Sequence, residues 1–118
     1  MYSFETIDLG TYRGDDYFLA GFVEPDPGNS EEYDPDKDAD DYGVNVFRSG
    51  THPHEDNIQI IRMDTAHGQP HLDKVYLPPD ADKESKIWLD DGYTYEKMKQ
   101  YLLSNWQMFV DRYIEHNE

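Results

Sequence analysis

Short, turn-bounded runs of aromatic and β-branched residues, an acidic break between the second and third of them, and one amphipathic stripe near the C-terminus predict an α+β fold. The expected architecture is an antiparallel meander sheet of four to five strands, with one long C-terminal amphipathic helix packed on one face. With 118 residues and no cysteine, one domain over residues 1–118 can bury a core without disulfides or thiolate metal sites.

Tyr2, Phe4 and Ile7, set among polar neighbours, predict a short edge strand ending near Gly10, and Arg13-Gly14-Asp15-Asp16 reads as a turn. Tyr17 to Val23 is aromatic and β-branched and bounded by turn residues, with Gly21 marking a bulge or a close backbone approach. Residues 24–41 hold prolines, Gly28 and a dense carboxylate run that cannot build a core, which predicts an exposed acidic loop. Asp34, Asp36 and Asp38 in it have the spacing that opens a calcium loop. Ala39 stands at the glycine position of that motif and Asn45 at the position of its bidentate Glu, so solvated acids are the expectation.

Tyr42 to Arg48 alternates with the strand period, Tyr42, Val44 and Val46 sharing one face. Asn57 to Met63 is the next strand, with Ile58 and Ile60 on one face and Gln59 and Ile61 on the other. Leu72 to Leu77 is a further strand, stopped by Pro78-Pro79, and the hairpin-sized connections imply antiparallel pairing. Ile87, Trp88 and Leu89 anchor a polar stretch whose residues 82–89 are expected as a short helical turn.

Thr94 suits an N-cap, and Glu96 falls in the first turn, where the helix dipole favours an acid. Met98, Tyr101, Leu102, Trp106, Phe109, Val110, Tyr113 and Ile114 then recur in steps of three and four, tracing one face of a helix over residues 94–115. At roughly 1.5–3 kcal/mol per buried side chain, that stripe supplies gross burial on the order of 15 kcal/mol before entropy is counted. It reads as core, not as a ligand site.

Twenty-six acids against ten bases give a formal net charge of -16, spread along the whole chain. At ordinary ionic strength such charges repel one another, whereas at 1 M salt the Debye length falls to about 3 Å. The charge therefore reads as halophilic adaptation, and it does not exclude a nucleic-acid substrate. No N-terminal basic-plus-apolar signal and no membrane-length apolar run are present, so a cytoplasmic protein without membrane association is expected.

Asp64-Thr65-Ala66-His67-Gly68-Gln69-Pro70-His71-Leu72-Asp73-Lys74 gathers two imidazoles, two carboxylates and an ammonium around a Gly/Pro turn between two strands. A rigid turn with exposed side chains is expected. Three uses are chemically reasonable. Two His and one or two Asp could hold zinc or manganese, although the spacing is not that of a helical zinc motif. Polar turns also contain His and Asp as solvated residues with no further role. The third use is metal-independent acid–base chemistry on a phosphodiester. His67 and His71 would be the acid–base pair, Lys74 and Arg62 would stabilise developing charge, and Asp64 or Asp73 would orient an imidazole. His52 and His54 could assist, and Arg48, Arg62 and Lys74 could cluster on one face. This assignment needs no cofactor and no metal.

Placed after a strand and followed by a helix carrying Trp106, Phe109 and Asp111, the Asp64–Lys74 run resembles the TumE-type toxins of prokaryotic toxin–antitoxin pairs over about residues 44–115. In those, a strand leads into an Asp-Asn-x-His-Gly-like turn with a further His-x-His. Here Thr65 replaces the Asn, and Asp73 stands where the second His of His-x-His would be. The resemblance implies an RNA substrate and an antitoxin or other protein partner. A non-catalytic protein–protein interaction module is the alternative, and a homodimer through the aromatic sheet or helix is compatible with both.

Overall fold

The computed structural model describes residues 1–28, 31–50, 57–65, 68–75, 77 and 86–117. Among these, β1 (Tyr2–Tyr12), β2 (Asp15–Glu24), β3 (Asp41–Arg48), β4 (Ile58–Asp64), β5 (His71–Asp73) and β6 (Lys86–Trp88) pair in chain order into one six-stranded antiparallel sheet. A one-turn helix α1 (Pro35–Asp38) interrupts the acidic loop, and α2 (Tyr95–Asn117) closes the chain. The fold is thus α+β with an antiparallel sheet and a C-terminal helix. It has six strands where four to five were expected, because β1 is a full strand and Lys86–Trp88 adds an edge strand where a helical turn was expected.

β1 runs past Gly10 because the chain absorbs an irregularity there. The pairing with β2 shifts register between Asp8 and Gly10, Gly10 takes φ 90°, and its N–H donates to Asp8 Oδ1 at 2.8 Å. The turn after β1 is a two-residue hairpin, Arg13-Gly14, with both residues at positive φ. β5 is shorter than expected. After Asp73 the backbone folds into tight turns, Val75 N–H donating to the Asp73 carbonyl and Leu77 N–H to that of Lys74, both at 3.0 Å.

The sheet has two unlike faces. Leu19, Val44, Val46, Ile61, Met63 and Leu72 are buried in one cluster with Met98, Leu102, Trp106, Phe109 and Val110 of α2. The register aligns them: Leu19 opposite Val46, Val46 opposite Ile61, Val44 opposite Met63, and Met63 opposite Leu72. A shift in the β3–β4 pairing after Val46 lets adjacent Ile60 and Ile61 both be buried, which replaces the expected split of these two isoleucines between faces. Residues of the other parity, including Asn45, Arg62, Asp64, His71 and Asp73, face away from α2.

α2 lands on the sheet at glycine. A Cβ on Gly21 would collide with the Tyr95 hydroxyl oxygen, so the close approach expected at Gly21 is the seat of the first residue of α2. Tyr95 donates to Glu5 Oε2, and Lys99 Nζ pairs with Glu5 Oε1 at 3.1 Å. Burial, reinforced by the Glu5 carboxylate, raises the Tyr95 phenol well above its ordinary pKa. Thr94 caps the helix, its Oγ1 accepting from Lys97 N–H at 3.2 Å. The acidic loop adds a second cap: Asp36 Oδ1 accepts from Tyr95 N–H at 2.8 Å. Asp34 in turn caps α1, accepting from Asp36 N–H at 3.0 Å. Asp38 Oδ2 accepts from the N–H of the cap residue Asp34 at 2.8 Å, so all three alternating aspartates bond backbone N–H groups at helix starts, which gives this stretch a structural role that the expectation of a solvated loop did not include.

Candidate functional site

β4, β5 and β6 lie side by side, and strict alternation puts every second residue on the face away from α2. Arg62 pairs with Asp73, which pairs with Lys86; Asp64 pairs with His71, which pairs with Trp88. Two rows of three residues result, formed by strand register and not by a turn. The intervening residues Met63 and Leu72 are buried in the core, which anchors the backbone beneath the cluster.

The contacts are dense. His71 Nε2 lies 3.0 Å from Asp64 Oδ1 and 3.3 Å from Asp73 Oδ2. Its Nδ1 lies 3.0 Å from the Gln69 carbonyl oxygen. Arg62 donates to Asp73 Oδ2 through Nη2 at 2.6 Å and Nε at 3.1 Å, and its Nε lies 3.2 Å from Asp64 Oδ2. Lys86 Nζ stands 3.8 Å from Asp73 Oδ1 and lies over the Trp88 ring, whose centroid is 5.3 Å from that of His71. Trp88 is half exposed, whereas His71 is 1% exposed and Asp64 and Asp73 are each 8% exposed. The side chains of this stretch were expected in solvent. The structure corrects that: these three are buried, because they belong to the ends of strands and not to the connection between them.

Gly43 makes room for Asp64. It is the cross-strand partner of Asp64, and a Cβ built on it would come within 2.7 Å of Asp64 Cβ and 3.1 Å of the Met63 carbonyl oxygen. A glycine on β3 is thus a spatial requirement of the cluster.

Of the residues singled out from sequence, Arg62, Asp64, His71 and Asp73 come together. His67, His52 and His54 lie outside the described residues. Lys74 follows the end of β5, and the ammonium that faces Asp73 is that of Lys86. Arg48 does not join Arg62, since it sits on the α2 side, 5.5 Å above the Tyr113 ring and 3.8 Å from Asp15. Trp106 and Phe109 are core residues, and Asp111 holds Tyr12 at the end of β1 and Arg13 of the turn after it, so these helix residues face the opposite side of the sheet from His71. Gln69, Lys86 and Trp88 were missed. For Lys86 and Trp88 the signal was the alternation around Ile87, which a helical reading of residues 82–89 concealed. A concavity of about 450 Å³ elsewhere is lined by Thr6, Asp8, Thr11, Asp16, Phe18 and Ser49 among others; none of the described residues lining it carries a cation or an imidazole.

The family model described as Domain of unknown function (DUF7718) matches residues 38–118. The chain belongs to the DUF7718 family. The match takes in β3 to α2, with Gly43 and all members of the cluster, while β1 and β2 lie before it. No curated protein and no solved structure matches the chain. Among the described residues no helix is long and apolar enough to cross a membrane.

Proposed function

We propose that this DUF7718 protein is a salt-adapted, toxin-like or toxin-derived protein directed at the phosphodiester backbone of RNA, with its reacting centre at the Asp64–His71–Asp73 cluster. The observation that supports this reading is the pairing of cations with that cluster: Arg62 and Lys86 both border Asp73, in a chain with only ten bases. A phosphodiester needs positive charge where negative charge develops, and a fixed imidazole and carboxylates beside it to handle protons. Arg62 and Lys86 would take the phosphate oxygens in place of Lys74. Incubating the purified protein with RNA in molar KCl tests the reading. Cleavage that is lost in Arg62→Ala and His71→Gln supports it; intact RNA, together with no growth arrest on expression, overturns it.

A second reading, a non-catalytic interaction module, is favoured by the β6 edge, where Ile87 and Trp88 are exposed at 44% and 52%. Among the described residues β6 is the last strand of the sheet, and a sheet edge beside apolar side chains suits strand addition by a protein partner. If His71→Gln leaves the biological effect intact while Ile87→Lys abolishes it, the interaction reading holds.

A further inference from the structure

We propose that Asp64, His71 and Asp73 form a binding site for one divalent transition-metal ion of the zinc or manganese class. The inference deepens the reading above, on which it rests for its use: the ion would be the electrophile that meets a phosphate oxygen.

Three observations carry it. The first is spacing. One donor atom from each of the three side chains can be chosen so that all lie within 4.8 Å of one another, and His71 Nε2 is 3.0 and 3.3 Å from the two carboxylate oxygens. Zinc binds nitrogen and oxygen at about 2.0–2.2 Å, so donors that share one ion stand roughly 3.0–3.5 Å apart. The second is the ring's other nitrogen. Nδ1 faces the Gln69 carbonyl oxygen at 3.0 Å, so its N–H donates there and Nε2 is the nitrogen turned to the carboxylates. Metal-bound histidines are held this way: the outer nitrogen donates to a carbonyl and the inner one ligates. The third is burial. His71 is among the largest fully buried side chains, and neither aspartate is exposed, unlike the many surface acids of this chain.

The surroundings fit the same use. Asp64 presents Oδ1 to His71 while Arg62 Nε holds its Oδ2, so one oxygen is oriented by the guanidinium and the other is turned to the site. Trp88 walls the imidazole. All three donors stand on strands whose neighbouring residues are core, and such elements hold ligand geometry better than loops do. One nitrogen and two oxygens suit zinc or manganese better than copper(I), which wants sulfur. Among the described residues three donors converge here, and three protein ligands leave a coordination position for water or a substrate oxygen, the pattern of a catalytic site rather than a closed structural one.

The experiment is a titration of the full chain, purified without a metal-affinity step, stripped with EDTA and held in molar KCl to suppress diffuse binding by the acidic surface. Zinc and manganese are titrated separately by calorimetry, with elemental analysis after dialysis. The expected result is about one ion per chain for at least one metal, a higher melting temperature in its presence, and at least tenfold weaker binding in His71→Gln and Asp73→Asn. Asp91→Asn, at an exposed turn, should bind as wild type. Wild-type protein that binds neither ion stoichiometrically overturns the proposal without recourse to variants. So does unchanged affinity in both site variants. Stoichiometric binding without RNA cleavage keeps the metal site and removes the RNA reading. RNA cleavage by protein that binds neither ion does the reverse.

Discussion

Gly43→Ala adds one methyl group on the face of the sheet away from α2. The new carbon would lie 2.7 Å from Asp64 Cβ, 3.1 Å from the Met63 carbonyl oxygen and 3.5 Å from Asp64 Cα. None of these atoms sits at the end of a flexible side chain, so no rotamer change removes the clash, and relief requires β3 and β4 to move apart locally. Such overpacking costs typically about 1–3 kcal/mol. For a domain of this size that lowers the melting temperature on the order of 5–10 °C. The displacement falls on Asp64, whose carboxylate stands 3.0 Å from His71 Nε2 and 3.2 Å from Arg62 Nε, so the cluster should loosen while the α2 core persists. Gly21→Ala is the matched control. It places a methyl against Tyr95 on the opposite face and should destabilise the α2 contact without touching the cluster. Urea unfolding followed by tryptophan fluorescence and far-ultraviolet circular dichroism measures the stability change of each variant. Binding of zinc or manganese, or cleavage of RNA, reads the cluster. A Gly43→Ala protein within about 0.5 kcal/mol of wild type, the usual range of an indifferent surface change, would refute the packing argument.

Two further outcomes follow from particular contacts. Asp36→Ala removes the acceptor for Tyr95 N–H and should cost about 0.5–2 kcal/mol, the range of a lost helix cap; denaturant titration checks it, and an unchanged midpoint would return the loop to a purely solvated role. Tyr95 titrates above its ordinary value of 10.0 in the folded chain, so its neutral form is favoured by folding. That contribution is fully present below pH 10.0 and is lost as pH rises above it, because the unfolded phenol ionises first. Stability should therefore decline above that pH by at most about 1.4 kcal/mol per unit from this group. Tyr95→Phe should show a shallower decline in melts recorded across that range; an equally steep one would assign the effect to other tyrosines.

Much of the fold was legible because its signals are local. The α2 stripe depends only on a period of 3.6, and the structure buries Met98, Leu102, Trp106, Phe109 and Val110 as that period requires. The turn-bounded aromatic and β-branched run at Tyr17–Val23 and the alternating run at Tyr42–Arg48 became strands because those signals are equally local. The misses are positions where a distant partner decides. Lys86–Trp88 is three residues long and becomes a strand only because β5 offers it a ladder. Ile60 and Ile61 are both buried because the pairing with β3 shifts register. Asp34, Asp36 and Asp38 looked like solvated acids, and the second of them instead meets a helix terminus 59 residues away.

The candidate site divides in the same way. Sequence by itself determined the residue types and their concentration: Asp64, His71 and Asp73 within one short stretch, with Arg62 two positions before it. It could not tell which of these face one another, since that depends on strand parity and register, and a slip of one residue moves each side chain to the other face. Only the tertiary structure decided that Arg62, Asp64, His71 and Asp73 share the face away from α2, that Lys86 and Trp88 complete the rows, and that a glycine on β3 leaves space for Asp64. The physical reason is that chemistry along a strand is written in the chain, whereas chemistry across strands exists only once the hydrogen-bonded ladder has chosen its register.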